Sequence, residues 1–168
     1  MNNSYAPEGY RLGSADNREY LTSFAGLERA MHEGKILEST VLLCDSAMRL
    51  HVDLFGIRGV MERCETVYCR EGEEIKDIAV ITRVGKPVCF KVMGFAVEDG
   101  KEIAILSRRA AQQECLDTYL DELRSGDIIE AKVTHLDNFG AFVFDFVCGG
   151  ANFGASSRAN YAVCSEIL

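Results

Sequence analysis

One stretch near the end of the chain, residues 126–143, constrains the fold more than any other. Between residues 129 and 134, apolar and polar side chains alternate, as expected for a strand with one buried face. Asp137-Asn138 then supplies a turn, and a second apolar strand opens with Phe139-Gly140-Ala141-Phe142. This stretch therefore predicts a β-hairpin that carries two aromatic side chains.

The two aromatic side chains of this hairpin, Phe139 and Phe142, allow two interpretations. Gly140 would leave the face of the Phe139 ring uncovered, and exposed rings on a sheet stack unpaired bases at about 1–3 kcal/mol per base. Burial in a hydrophobic core is the ordinary alternative for phenylalanine. The spacing of the turn, the glycine and both aromatic residues over 126–143 favours the stacking interpretation.

The opening of this pattern occurs twice, because residues 34–41 match residues 126–133 in the order of glycine and apolar positions. Further strand patterns and an irregular, charged crossing follow the first copy. They lie at 50–54, 56–61, 64–74 (the crossing), 78–84, 84–92 and 103–107. Short strands, glycine turns and one irregular crossing predict a mainly β protein built on a five-stranded Greek-key barrel of the oligonucleotide-binding (OB) kind.

Helical patterns flank this barrel. Asp16 and Glu19 have the spacing of a capping box, and apolar residues then recur at helical intervals up to Gly34. Ser107 is placed to cap a second helix. The predicted organisation is a flexible lead-in (1–16), an N-terminal helix (17–33), a barrel (34–107), a connecting helix (108–125) and an incomplete second barrel (126–168).

Charge and hydropathy restrict where the chain acts and what it binds. The net charge of −8 argues against non-specific duplex binding, although residues 49–109 hold 11 basic against 10 acidic side chains. No apolar run approaches the roughly 18 residues of a membrane span, and residues 1–4 lack the features of a signal peptide. We expect a cytoplasmic protein with no membrane partner.

Catalytic and metal-binding motifs are not recognisable in the sequence. The three histidines lie in unrelated segments, and no phosphate-binding loop or nucleophile elbow is present. Seven cysteines include no Cys-x-x-Cys pair, so most are expected to be reduced core thiols. We expect no enzyme activity, no cofactor, no metal and no small-molecule substrate.

The order Gly-x-x-x-x-Ala-x-Val-x-x-Leu-x-x-Phe-Gly-Ala-Phe-Val at 126–143 resembles the first two strands of the S-one RNA-binding domain, named for the first protein of the small ribosomal subunit. Val-Gly-x-x-Val-x-x-Lys-Val at 84–92, followed by Ile-Leu-Ser at 105–107, is similar to the family's last two strands. The segments at 86–92 and 106–111 resemble the compact, few-domain clostridial forms. The resemblance implies an OB fold and binding of single-stranded RNA, such as mRNA, in translation, with the small ribosomal subunit as a further partner.

The resemblance also implies which residues contact RNA. Phe139 and Phe142 would stack two bases, and Lys132 and His135 on the preceding strand would contact the backbone or base edges. In the first copy, Met48 and His51 stand where the two aromatic residues would be. A weak site there would use His51 for stacking and Arg49, Arg58 and Lys91 for phosphates, unless these are ordinary solvated side chains.

The second copy departs from the family's pattern after Val143, where a third strand would follow. We interpret this as a truncation or a change of reading frame. The acidity of the chain and the missing aromatic residues of the first copy also support an alternative function. In that alternative the barrel is an adaptor that binds a protein, such as the ribosome surface or an RNA-processing enzyme.

Overall fold

A computed structural model describes residues 8–69, 72–120, 132–137 and 140–144, with side chains described up to residue 118. The described part is mainly β. Its strands are β1 (Leu37–Cys44), β2 (Leu50–Leu54), β3 (Ile57–Met61), β4 (Pro87–Glu98), β5 (Lys101–Ser107), β6 (Lys132–Asp137) and β7 (Gly140–Phe144). The first five match strand patterns predicted between residues 34 and 107. A further predicted strand, at 78–84, is not present.

Strands β1 to β5 form one sheet whose strand order closes on itself. The order is β1-β2-β3-β5-β4, and β4 pairs back onto β1 through partners such as Leu37 and Phe90. All pairs are antiparallel except β3 with β5, which are parallel. The residues inside the resulting ring are fully buried and apolar, among them Val41, Leu50, Val52, Leu54, Met61, Val88, Phe90 and Leu106.

The β-branched run at 78–84, which was predicted to be a strand, instead contains most of a short helix. Helix α3 spans Asp77–Ile81 and buries Val80, whereas Ile78 and Ile81 remain exposed. Branched side chains favour strands mainly when they pack on a sheet, and here one buried position is enough to hold a helical turn. The hydroxyl of Thr82 bonds the Ile78 carbonyl and helps to end the helix.

The helix predicted at 17–33 is interrupted. Helix α1 spans Ala15–Leu21 and α2 spans Phe24–Glu33, because Ser23 caps a new helix by accepting a hydrogen bond from the Gly26 N–H. A side chain at Gly26 would meet the Tyr20 carbonyl at 2.5 Å, so the glycine allows the two helices to approach. Gly34, with φ of 64°, ends α2 where the sequence predicted.

Ser107 caps helix α4 (Arg108–Cys115) as predicted, by accepting a hydrogen bond from the Ala110 N–H. The helical path continues over Leu116–Leu120, and residues 121–125 of the predicted connecting helix lie outside the described residues. A 3-10 helix at Arg63–Glu65 lies in the predicted irregular crossing.

Part of the predicted flexible lead-in packs on the sheet. The carboxylate of Glu8 accepts hydrogen bonds from Arg108 Nε at 2.7 Å and from a second guanidinium nitrogen at 3.2 Å. The Glu38 carboxylate on β1 accepts the N–H groups of Gly9 and Arg11. Residues 8–14 are therefore fixed to β1 and to the start of α4.

Candidate nucleic-acid interface

The β1–β2 and β6–β7 hairpins have the same register. In the first, Val41 pairs with Val52 and Leu43 with His51; in the second, Val133 pairs with Val143 and His135 with Phe142. Both hairpins contain an irregularity at the same place, between these two pairs. The repeat predicted from the sequence is therefore present in the backbone, and His51 occupies the register position of Phe142.

The second hairpin supplies four predicted RNA-contacting residues, and the structure places three of them on strands. Lys132 and His135 lie on β6, and Phe142 lies on β7 opposite His135. Phe139 lies outside the described residues. Contact of these four side chains with RNA stays a prediction.

In the first copy, three predicted RNA-contacting residues belong to one ion cluster, made of Asp45, Arg49, His51, Arg58 and Glu98. Asp45 Oδ2 accepts a hydrogen bond from Arg49 Nε at 2.8 Å and lies 3.1 Å from His51 Nε2. Arg49 also donates to Glu98 at 3.0 Å, and Arg58 bonds the other oxygen of that carboxylate. The cluster joins the β1–β2 turn to β2, β3 and the end of β4.

The pKa values of this cluster show how strongly its charges are paired. The backbone N–H of Arg49, followed by His51, the Arg49 side chain and the Ala47 N–H, holds the pKa of Asp45 well below its usual range. The hydrogen bond from Arg49 lowers the pKa of Glu98, and the same bond raises the pKa of Arg49. A phosphate group at either arginine would lie beside a carboxylate, whose negative charge opposes its binding.

Lys91 does not join this cluster. It lies on β4, and its ammonium bonds the Glu114 carboxylate on α4. The structure therefore brings Arg49, His51 and Arg58 together and places Lys91 elsewhere. Phosphate contacts by these four residues stay a prediction.

Sequence reasoning missed the two acidic members of the cluster, Asp45 and Glu98. Asp45 had a local signal, because an aspartate that begins a turn commonly accepts nearby backbone N–H groups, here those of Ala47 and Arg49. Glu98 had none, since it lies 49 residues from Arg49 in the chain.

Comparison with known proteins supports a distant relationship with a ribosomal protein. No family model matches the chain. The chain is similar to the small ribosomal subunit protein bS1 of Leuconostoc lactis, with 28% identity over 127 residues, which is 75% of this chain and 28% of that protein. The chain thus spans just over a quarter of the length of this relative. The predicted clostridial form and truncation stay predictions.

Within the part of the chain that the structure describes, no helix has the length and apolar character needed to cross a bilayer. Of the cysteines there, Cys89 and Cys115 are buried, Cys44 and Cys69 are half-buried and Cys64 is exposed.

The lowered pKa of Asp45 leads to an expected pH dependence of stability. A carboxyl group with a lowered pKa stabilises the fold fully above its ordinary pKa, about 3.9 for aspartate, and this contribution is lost as the pH falls through the lowered value. Asp45→Asn is expected to cost about 1–3 kcal/mol at pH 7, because charge-assisted hydrogen bonds disappear. The cost should shrink towards pH 2 in urea unfolding curves.

Asp99→Asn is the matched control, because Asp99 is an exposed turn residue with φ of 52°, a conformation that asparagine also adopts. If the free energy of unfolding of Asp45→Asn falls with decreasing pH as steeply as that of the wild-type protein, the expected role of Asp45 is contradicted.

Glu38 acts in the opposite direction: burial raises its pKa, so its contribution to stability is present at low pH and lost as the pH rises.

Proposed function

We propose that this chain binds single-stranded RNA as a relative of ribosomal protein S-one. The observation that carries the proposal is the shared register of the two hairpins, which sets Phe142 and His51 at equivalent positions of a repeated unit. Its similarity to bS1 supports the same assignment. In this proposal the five-stranded ring is a Greek-key OB barrel, and β6–β7 begins a second one.

The second hairpin is the proposed RNA-binding surface. Phe139 and Phe142 stack two bases, while Lys132 and His135 hold the backbone or base edges. Two stacked bases supply about 2–6 kcal/mol before ordering costs, so the affinity of one such surface lies in the millimolar to micromolar range. We further propose that the RNA is mRNA, that the chain acts in the cytoplasm, at or near the small ribosomal subunit, and that it has no catalytic role.

A second candidate function, a protein-binding adaptor, is favoured by the surface of the first ring. The ion cluster pairs Arg49, His51 and Arg58 internally, so these residues offer little free positive charge. Beside it lies a groove lined by the apolar side chains of Leu43, Met48, Ile81 and Val84. Exposed apolar surface of this kind occurs at protein interfaces.

The Phe142→Ala variant tests the proposed RNA-binding surface. If the ring is a stacking platform, the variant should lose about 1–3 kcal/mol of affinity for a labelled oligo-U at low salt, with little change in stability. If the ring is core, the variant should instead lose about 3–5 kcal/mol of stability. Binding titrations and urea unfolding of the same protein measure both quantities.

His51→Ala is the matched control, because it changes the equivalent position of the first hairpin. Its RNA affinity should fall less than that of Phe142→Ala. A large stability loss with unchanged RNA affinity in Phe142→Ala would defeat the RNA-binding assignment. Absence of oligo-U binding at every salt concentration would favour the adaptor.

A further inference from the structure

Phe55 sits at the tip of the β2–β3 hairpin in a conformation that phenylalanine rarely adopts. Leu54 pairs with Ile57, so Phe55 and Gly56 form a two-residue connection, with φ of 53° and 96°. Connections with positive φ at both positions prefer Asn-Gly or Asp-Gly. A bulky residue there is an outlier, and such outliers concentrate at ligand-binding positions. The Phe55 side chain is also 51% exposed.

The guanidinium of Arg18 lies over the Phe55 ring, 5.7 Å from its centroid. Arg18 is exposed, and no carboxylate of the described residues lies within ion-pair distance of it. In this respect it differs from Arg49, Arg58 and Lys91, each of which pairs with a carboxylate. Arg18 is therefore a cation beside an exposed ring that can bind an anionic group.

A cavity of about 310 Å³ adjoins Phe55, which places it at the small end of ligand-binding pockets. Its apolar wall consists of Leu12, Leu21 and Leu42. Its polar lining consists of Glu38, Ser39, Thr40 and Asp53. The Thr40 hydroxyl has no hydrogen-bond partner in the described part of the chain. The Asp53 carboxylate accepts one hydrogen bond, from the Gly56 N–H at 3.2 Å, and has further acceptor capacity.

We propose that this cavity, the Phe55 pocket, binds one unpaired nucleobase that carries an exocyclic amino group. The base stacks on the ring of Phe55, the amino group donates to Asp53, and Arg18 holds the adjoining phosphate. The proposal rests on the proposed function for its choice of RNA as the source of the base. The Phe55 pocket contains none of the residues that the proposed function assigns to RNA contact.

The direct test places a fluorescent reporter in the pocket. The chain contains no tryptophan, so Phe55→Trp in the full chain gives a single indole that retains the stacking surface. We expect saturable quenching by oligo-A and by AMP, and weaker quenching by oligo-U and UMP, because uracil has no amino group. A tighter midpoint for oligo-A than for AMP identifies RNA as the source, whereas equal midpoints identify free nucleotide. No saturable quenching by any of the four overturns the proposal.

Phe55→Asn separates binding from folding. Asparagine suits this turn, so the variant should be at least as stable as the wild-type protein. In a Phe142→Ala background, which weakens the hairpin surface, Phe55→Asn should bind oligo-A about five- to 150-fold more weakly because the stacking ring is gone. Unchanged affinity for oligo-A would overturn the proposal. Arg18→Gln should weaken oligo-A binding several-fold without changing the preference over oligo-U, and Asp53→Asn should abolish that preference.

The outcome for the Phe55 pocket can be distinguished from the outcome for the second hairpin. Quenching of the Phe55→Trp indole by AMP requires only the pocket, so it should persist when Phe142→Ala is added. Persistent quenching together with unchanged oligo-U affinity in Phe142→Ala would retain the pocket and reject the hairpin. Loss of oligo-U affinity in Phe142→Ala, without any quenching of the indole in Phe55→Trp, would retain the hairpin and reject the pocket.

Discussion

Replacing Glu8 by glutamine is expected to destabilise the fold by about 3–5 kcal/mol, because it removes the charge of a carboxylate that pairs with the buried guanidinium of Arg108. The Arg108 side chain is 1% exposed, and that of Glu8 is 8% exposed. Burial and the nearby Arg108 both lower the pKa of Arg83, and the Glu8 carboxylate opposes this effect. The same carboxylate accepts the Cys89 N–H at 3.1 Å, so one side chain joins the lead-in to β4 and α4.

Urea unfolding of Glu8→Gln measures this cost, and Glu19→Gln is its control. Glu19 forms an ion pair with Arg29 on the surface, where both side chains are exposed, so its loss should cost less than about 1 kcal/mol. Equal, small costs for the two variants would contradict a structural role of the Glu8 pair.

The Glu8 contacts also change what the smallest stable unit should contain. Residues 34–107 hold every strand of the five-stranded ring, so a chain of residues 17–125 should unfold cooperatively. Such a chain lacks the Glu8 carboxylate that bonds the Arg108 guanidinium. We therefore expect it to be less stable than a chain that begins before Glu8, by an amount similar to the cost of Glu8→Gln.

The parts of the fold that local physics controls could be predicted from the sequence. The strand patterns in the sequence predicted β1 to β5. Serine at position 107 predicted a helix cap, and glycine at position 34 predicted the end of a helix. The break at Ser23 was missed because helical periodicity continues across it. The strand predicted at 78–84 was wrong because its composition favours strands, while its place between β3 and β4 buries only Val80.

The candidate site was less predictable, because its determinants are distant in the chain. The sequence identifies Arg49 and Arg58 as cations but not their pairing with Glu98, which depends on how the ring closes. The Glu8–Arg108 pair joins residues 100 positions apart. The sequence marks Phe55 as unusual, since Phe-Gly stands where a hairpin usually has Asn-Gly or Asp-Gly. The cavity beside Phe55 could not be predicted, because it forms only when α1 packs beside β1.

Phe90→Ala is expected to destabilise the protein by about 3–5 kcal/mol, since Phe90 is fully buried inside the five-stranded ring. The ring surrounds its core with paired strands, and Phe90 lies on β4 at the pair with Leu37 that closes the strand order. Neighbouring side chains can relax only partly into the space that the aromatic ring leaves, so most of the lost contact remains as a cavity.

Met93→Ala on the same strand is the control for Phe90→Ala, because the Met93 side chain is 55% exposed and should contribute less than about 1 kcal/mol. Thermal and urea unfolding of both variants measure the difference. Adding Phe55→Trp to each of these two variants also tests how the Phe55 pocket depends on the ring, because the chain has no tryptophan of its own. The pocket is formed by β1, β2 and α1, so quenching of the Phe55→Trp indole by AMP should be lost at the denaturant concentration where Phe90→Ala unfolds the ring. A Phe90→Ala protein as stable as Met93→Ala would mean that the closed strand order does not enclose the core of this fold.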